Sequence, residues 1–331
     1  MDWTSLISRF GGAKILVVGD ICLDRWCQYD PIEADTSRET GIPRIGVTRN
    51  EVTAGAGGTV ANNLASLGAG KVAVLGAIGQ DGFGFELERC LSKRNIDYSQ
   101  LVATPAIQTF TYTKVINAET GVEDKPRIDF INTKPLPGEV EDQLIANFHS
   151  IYPDFDVILV SDQAETNQGG VITQVFREVI ADVADRNPDK IVIVDSRSRV
   201  HHFRGVLAKP NEDEADEACR TLFGTIDYSR LRKAIGEKPL VITRDVRGAL
   251  LVTDEGIKEI APIPVGDPID TCGAGDAHGA GMALALHAGA NIEAAARFGA
   301  MVASVTIMKA GTGVATPQEV LAVADSVALN N

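Results

Sequence analysis

Six short runs of unbroken apolar, mostly β-branched residues recur along the chain: "KILVVGD" (14–20), "VAVLGAIG" (72–79), "DVILVSD" (156–162), "KIVIVDS" (190–196), "PLVITRD" (239–245) and "GALLVTD" (248–254). A strand with one wet face alternates apolar and polar residues. These runs do not, so most must be covered on both faces, as in a parallel sheet with helices packed on either side. Helix-length segments follow most of them, with helices expected at 57–67, 83–94, 139–149, 169–186, 273–288, 291–309 and 316–327. Strands alternating with helices make βαβ units, and the expected class is α/β with a central, mostly parallel sheet. The 331 residues, 44% of them apolar, are enough for one large domain spanning residues 1–331.

Two regions break the rhythm. Residues 21–53 are polar and irregular, while 107–133 contain "TFTYTKVI" and "RIDFIN", which look like antiparallel strands. The two regions are expected to pair into a small sheet outside the main layer. Such a sheet suits a lid over a site at the carboxyl ends of the parallel strands. The plainer alternative is a pair of surface hairpins. A lid sheet also offers a clasp for a homodimer. No internal repeat or low-complexity linker occurs.

Composition excludes several functions. A formal net charge of −14 argues against a nucleic-acid partner, which needs a basic face. The five cysteines, Cys22, Cys27, Cys90, Cys219 and Cys272, include no C-x-x-C pair and suit reduced thiols in a cytoplasmic protein. The N-terminal "MDWTSLISRF" has no signal-peptide pattern. The small-sided stretch 279–308 is interrupted by His287, Glu293 and Arg297, so two packed helices are expected there and no membrane span. The histidines lack H-x-x-x-H spacing, against a zinc site. "GAGGTV" follows polar "RNEVT" and fails G-x-G-x-x-G, against a dinucleotide loop.

The chemistry concentrates in "DTCGAGDAHGAG" (270–281). Glycines let backbone N–H groups approach a ligand, and a helix start adds its positive dipole end, so the turn Cys272–Gly273–Ala274–Gly275 suits a polyphosphate. Asp276, in the first turn, is placed to take a proton from a hydroxyl attacking that phosphate. A bare G-x-G-D is more often just an acidic helix start; the longer D-T-x-G-A-G-D is more specific. In "KPNEDEADE" (209–217), Asn211 and Glu214 could hold Mg²⁺ through water, form a capping box, or do both. Asp24 follows the first strand and could bind two sugar hydroxyls. "AGAGGTVANNLASLGA" (54–69), with Gly55, Gly57, Thr59, Asn62 and Asn63, is either a ligand-approaching turn or a tight strand-to-helix connection. Asp20, Asp162 and Asp195 end strands and either face the crevice or cap the next turn.

Together, "DTCGAGDAHGAGMA", "GDICLDRW", "GAGGTVANNLASLGA", "KPNEDE" and "VITRDVRGA" resemble the PfkB/ribokinase-like carbohydrate kinases over nearly the whole chain. With "RIDF", "FRG" and "KAGTG", the likeness leans to the branch that phosphorylates D-glycero-β-D-manno-heptose 7-phosphate, the kinase half of ADP-heptose synthases. The resemblance implies a ribokinase-like three-layer fold with a β-sheet lid, and ATP and Mg²⁺ as cosubstrate and metal. It implies Asp276 as base, Gly273, Ala274 and Gly275 as anion hole, and Asn211 and Glu214 at the Mg²⁺–phosphate motif. It places Asp24 on the sugar and Thr243, Arg244 and Gly248 along the nucleotide. Asp270 and Cys272, with carbonyls near Thr306 and Gly311, would hold a monovalent cation such as K⁺. Four positions depart from the pattern: Thr59 replaces a sugar-binding asparagine, Glu165 lies where a lysine is missing, Ala300 replaces an asparagine near the adenine, and His278 replaces a phenylalanine. A sugar phosphate would need cations, and Lys114, Arg127 and Arg38 are the candidates. The alternatives are a kinase for an unphosphorylated sugar or a nucleoside, and a non-catalytic sugar or nucleotide sensor.

Overall fold

The computed structural model describes residues 1–32, 35–166 and 168–329. Nine strands form the main sheet, in the order Gly256–Ile260, Ala249–Thr253, Leu240–Thr243, Leu207–Ala208, Ile191–Ser196, Val157–Asp162, Lys14–Gly19, Lys71–Gly79 and Asp97–Thr104. From Leu240–Thr243 onward every pairing is parallel; the first three strands of that order are joined by antiparallel pairings.

The unbroken apolar runs have the expected cause. In the strand Lys14–Gly19, Ile15 and Val17 face a core shared with the helices Gly57–Ser66, Gly82–Ser92, Ala274–His287 and Ile292–Thr306. Leu16 and Val18 face the opposite core, against Leu144, Phe148, Phe176 and Ile180 of the helices Gly138–Ile151 and Gln174–Arg186. Burial on both faces removes any alternation. The result is a three-layer arrangement, with helices packed on both faces of the main sheet.

A smaller four-stranded sheet stands beyond this layer, in the order Val47–Ala56, Ile21–Tyr29, Thr111–Asn117 and Ile128–Phe130. The segment that reads as irregular in sequence thus contains two long antiparallel strands, with Asp24 opposite Thr53. Their polar residues are those of a sheet with an open face, which Thr111–Asn117 shows as strict alternation of buried and half-buried positions. Thr111–Asn117 runs parallel to Ile21–Tyr29 and antiparallel to Ile128–Phe130. The main-sheet strand Lys14–Gly19 passes through Asp20 directly into Ile21–Tyr29, so the lid grows from the carboxyl edge of the main sheet.

Several elements depart from the sequence expectation, each for a tertiary reason. The helix expected from 169 begins only at Gln174, capped by Thr173, because the Val171 N–H is held by Asp20. The helix expected to run to 309 stops at Thr306, where the Ile307 carbonyl accepts the N–H groups of Ile269 and Asp270. The edge strand Asp97–Thr104 was hidden by its polar residues. The helices Glu212–Phe223 and Tyr228–Ala234 cover a third small core containing Ala215, Ala218, Cys219 and Leu231. Among the described residues no helix is long and apolar enough to cross a membrane.

Candidate active site

The carboxyl ends of the parallel strands carry the expected aspartates, but these have different tasks. Asp20 is buried and accepts three backbone N–H groups, from Gln163 (2.7 Å), Ala164 (2.8 Å) and Val171 (2.9 Å). Burial, and then repulsion from Asp162, still push its pKa up to about 6. Asp20 ties the loop after Val157–Asp162 to the first strand, with most of its acceptor capacity spent on backbone and the residue buried away from any ligand. Asp162 is likewise spent, on Arg199 (2.6 Å) and the Ser196 hydroxyl (2.7 Å). Asp195 is different, because it holds the buried Lys209 ammonium at 2.7 Å. Burial opposes the charge on Lys209, but Asp195, Glu214 and Asp276 hold its pKa above the ordinary value.

Lys209 lies beneath the glycine turn. A Cβ built on Gly275 would stand 3.6 Å from its Nζ, and one on Gly279 would meet its stem. The helix Ala274–His287 starts from Gly273, which adopts φ +78 and offers no side-chain cap. With no side-chain cap, the start of this helix leaves its early N–H groups without partners inside the helix, as an anion site requires, although the Ala274 N–H reaches the Thr271 carbonyl at 3.2 Å. Asp276 follows in the first turn. It touches solvent but is densely ringed by protein, and burial followed by Asp195 raises its pKa to about 8, with Asp24 adding to the rise and Lys209 opposing it.

Asp24 faces this group from the lid. It is buried, and its pKa rises to about 7, first by desolvation, with Arg127 and Lys114 pulling it down and Asp129 pushing it up. The neighbouring strand must be bare here, since a Cβ at Gly55 would collide with the Asp24 carboxylate. The other residues of the first glycine motif turn inward. The Gly57 N–H donates to the Asp20 carbonyl (3.0 Å) and the Thr59 hydroxyl to the Ala54 carbonyl (3.3 Å). Asn63 spends its amide on the Thr59 carbonyl (3.1 Å) and the Ala315 N–H (3.3 Å), and Asn62 donates to Thr53 and Ala54. Gly57, Thr59 and Asn63, expected at the sugar, are therefore packing residues of a tight strand-to-helix connection. The Thr59 methyl supports the anion turn, 3.0 Å from where a Cβ on Gly273 would stand.

The capping box of Asn211 and Glu214 is present, with both bonds at 2.8 Å. Burial, then repulsion from Asp195, lifts Glu214 to about 7. Glu214, Asp195 and Asp276 thus crowd one ammonium, an excess of negative charge that suits a divalent cation. Among the described residues no group of three or more His, Cys, Asp or Glu side chains is placed to hold a metal ion directly. Thr243 lies beside Asn211, its N–H on the Pro210 carbonyl at 3.0 Å. Arg244 is mostly buried and paired with Glu259 (3.2 Å), and its N–H donates to the Gly248 carbonyl (2.7 Å), so the side chain helps shape this wall.

Lys114 and Arg127 both reach Asp24's surroundings. Arg127 pairs with Asp129 (3.5 Å) and lies over the Tyr112 ring; Lys114 pairs with Asp270 (3.8 Å). Arg38 is exposed in the turn between Asp35–Thr36 and Pro43–Arg44. Glu165 pairs with Arg197 (3.8 Å), whose charge also lowers the pKa of Asp276 and Glu214. His278 is buried against Gly299 with its pKa lowered to about 3 by burial and Lys209, so it is a neutral imidazole, and Ala300 is half-buried one residue on. Burial, then Asp24, raises the Cys272 thiol to about 11. The sequence reading missed Lys209 and Arg197. Lys209 stands inside the quoted "KPNEDE", but its acidic partners come from other elements, which no local pattern reveals.

A family model, "pfkB family carbohydrate kinase", matches residues 13–319. The bifunctional protein HldE of Trichlorobacter lovleyi is 31% identical over 328 residues, 96% of this chain and 64% of that protein. This chain thus spans just under two thirds of that relative's length. Ribokinase from Thermotoga maritima superposes with a TM-score of 0.67 at 20% identity, covering 95% of this chain and 99% of that one. Phosphofructokinase-2 from Escherichia coli, solved with substrates and products and also with potassium, superposes with a TM-score of 0.69 at 19% identity over 96% of this chain and 100% of that one.

Proposed function

Since the chain belongs to the PfkB family of carbohydrate kinases and is a sugar kinase, we propose that it transfers the γ-phosphoryl group of ATP to the anomeric hydroxyl of a heptose 7-phosphate. The observation that carries the reading is Asp276, beside an uncapped helix start and facing Asp24, with its pKa lifted to about 8. A base is most useful when its pKa lies near the working pH. Asp24 orients the sugar by accepting from its hydroxyls. Asp276 takes the proton of the attacking hydroxyl as its oxygen bonds to the γ-phosphorus and the bond to the β-phosphate oxygen breaks. The N–H groups of the Gly273–Gly275 turn receive the developing charge, and Lys209 fixes that turn from below. Mg²⁺, when bound, neutralises phosphate charge; Glu214 and Asn211 would hold its water shell.

The heptose 7-phosphate assignment rests on the sequence likeness and on the HldE relatives. Arg127 and the newly seen Arg197 supply the cations a distal phosphate needs, while Lys114 is already paired with Asp270. One observation favours an unphosphorylated sugar or a nucleoside instead: Glu165 occupies Arg197, and Asp129 occupies Arg127. The test compares turnover with heptose 7-phosphate, free hexoses, pentoses and nucleosides, in the native enzyme and in Arg127→Ala. Preference for the phosphorylated heptose, weakened by the substitution, is expected. Preference for an uncharged sugar, unaffected by it, refutes the assignment and leaves the sugar kinase. Absence of ATP turnover with every acceptor in the panel would favour the non-catalytic sensor. The lid carries exposed Ile42, Val47, Val122 and Ile128, which supports a homodimer clasped through the lid; sedimentation velocity of a lid variant with charged replacements would read it.

A further inference from the structure

The lid sends one lysine across to the body of the molecule. Lys114 Nζ lies 3.8 Å from Asp270 Oδ2, and the two side chains are only 23% and 22% exposed. The other oxygen of Asp270 accepts the Cys272 N–H at 2.9 Å, inside the turn that leads to Gly273. The backbone N–H of Asp270 is fastened to the Ile307 carbonyl at 3.1 Å. Asp270 therefore holds the anion turn at one end and the loop after Ile292–Thr306 at the other.

The same region was expected to hold a monovalent cation, and the residues do not fit one. The Asp270 carboxylate already has an ammonium and an N–H. The Thr306 carbonyl accepts the Lys309 N–H (3.1 Å) and the Gly311 carbonyl the Gly313 N–H (3.0 Å), which leaves each a lone pair, so the ammonium on Asp270 decides the fit. Trp26, the register partner of Lys114 on the neighbouring lid strand, covers Gly311, with its ring 3.3 Å from where a Cβ there would stand. An inorganic cation on Asp270 would sit against the lysine's like charge in a place with little water to screen it.

We propose that Lys114 is a built-in substitute for the cation: its ammonium neutralises Asp270 and so positions the Asp270–Gly275 turn without K⁺. Lys114 is a positioning residue that acts through Asp270. Because it arrives on the lid, the turn is completed only when the lid strand is seated over the body. The inference rests on reading that turn as the γ-phosphate site.

The experiment compares K⁺ with choline at equal ionic strength, in the native enzyme, Lys114→Met and Lys114→Arg. It reads both turnover and melting temperature. The native enzyme and Lys114→Arg are expected to change less than about threefold between the two cations. Lys114→Met should lose at least ~10-fold in choline and recover most of it in K⁺. K⁺ should also raise its melting temperature by ~2–4 °C, because an ion that binds only the folded state stabilises it. Stimulation of the native enzyme by K⁺ of threefold or more overturns the proposal. So does a Lys114→Met protein in which K⁺ moves neither rate nor melting temperature. Should Lys114→Met not fold in choline, its folding in K⁺ supports the proposal, and failure in both overturns it unless Lys114→Met/Asp270→Asn, which removes both charges, folds in choline. The melting arm needs no sugar, so an absence of kinase turnover would sink the functional reading while still deciding this one.

Discussion

Asp276→Asn separates catalysis from stability, because the carboxylate the reaction needs is one the fold resists. Burial, Asp195 and Asp24 raise its pKa from 3.8 to about 8. At about 1.4 kcal/mol per pK unit, ionising it in the folded state costs at most ~6 kcal/mol. Asp276 touches solvent, so ~1–3 kcal/mol is the expected effect after screening. The sign follows from proton linkage. The folded state binds this proton more tightly than the unfolded chain, so the penalty is absent below pH ~4, grows between pH ~4 and ~8, and is complete above. Asparagine cannot ionise and escapes it. The variant should match the native protein near pH 4 and melt ~2–6 °C higher at pH 8.5. Its kcat should fall by roughly 10²–10⁴ with ATP affinity little changed, because the anion turn is intact. The assays are thermal unfolding across pH and steady-state kinetics. Turnover within threefold of native, or a melting difference that does not vary with pH, would refute the reasoning.

Lys209→Met removes the cation that lowers the Asp276 pKa, so the rising limb of kcat against pH should move at least ~1 unit to higher pH; an unmoved limb would show that Lys209 does not act on the base. Asn211→Ala with Glu214→Ala should lose ~1–2 kcal/mol of stability with the capping box and need more Mg²⁺ for half-maximal rate, with partial recovery at high Mg²⁺; an unchanged Mg²⁺ dependence would leave the pair as a helix cap alone. Asp20→Ala strands three backbone N–H groups, at ~1–3 kcal/mol each, and should shift the urea midpoint strongly downward; a shift below ~1 kcal/mol would contradict its role as the loop's anchor.

Much of the fold was legible because its signal is local. A strand buried on both faces must be apolar without interruption, so "ILVV" and "VILV" announce the parallel sheet whatever packs on them. The turn 270–276 was legible for a similar reason: a helix that begins on glycines before an acidic residue carries its chemistry in adjacent positions. The lid strands at 21–29 and 47–56 were less so, since a sheet with an open face spreads polar residues that imitate loop.

What only the tertiary structure decided is which charge meets which. Asp20, Asp162 and Asp195 read identically as aspartates after strands, yet one anchors three N–H groups, one is locked to Arg199, and one holds Lys209 under the anion turn. Asn63 looked like a sugar ligand until burial turned its amide toward Thr59 and Ala315, a residue 252 positions away. Lys114 was read as a phosphate contact, and the folded chain sets it on Asp270. Periodicity records how each element meets water, which depends on near neighbours. Electrostatic partnership depends on distances of a few ångströms between residues far apart in the chain, and only the assembled layers supply those distances.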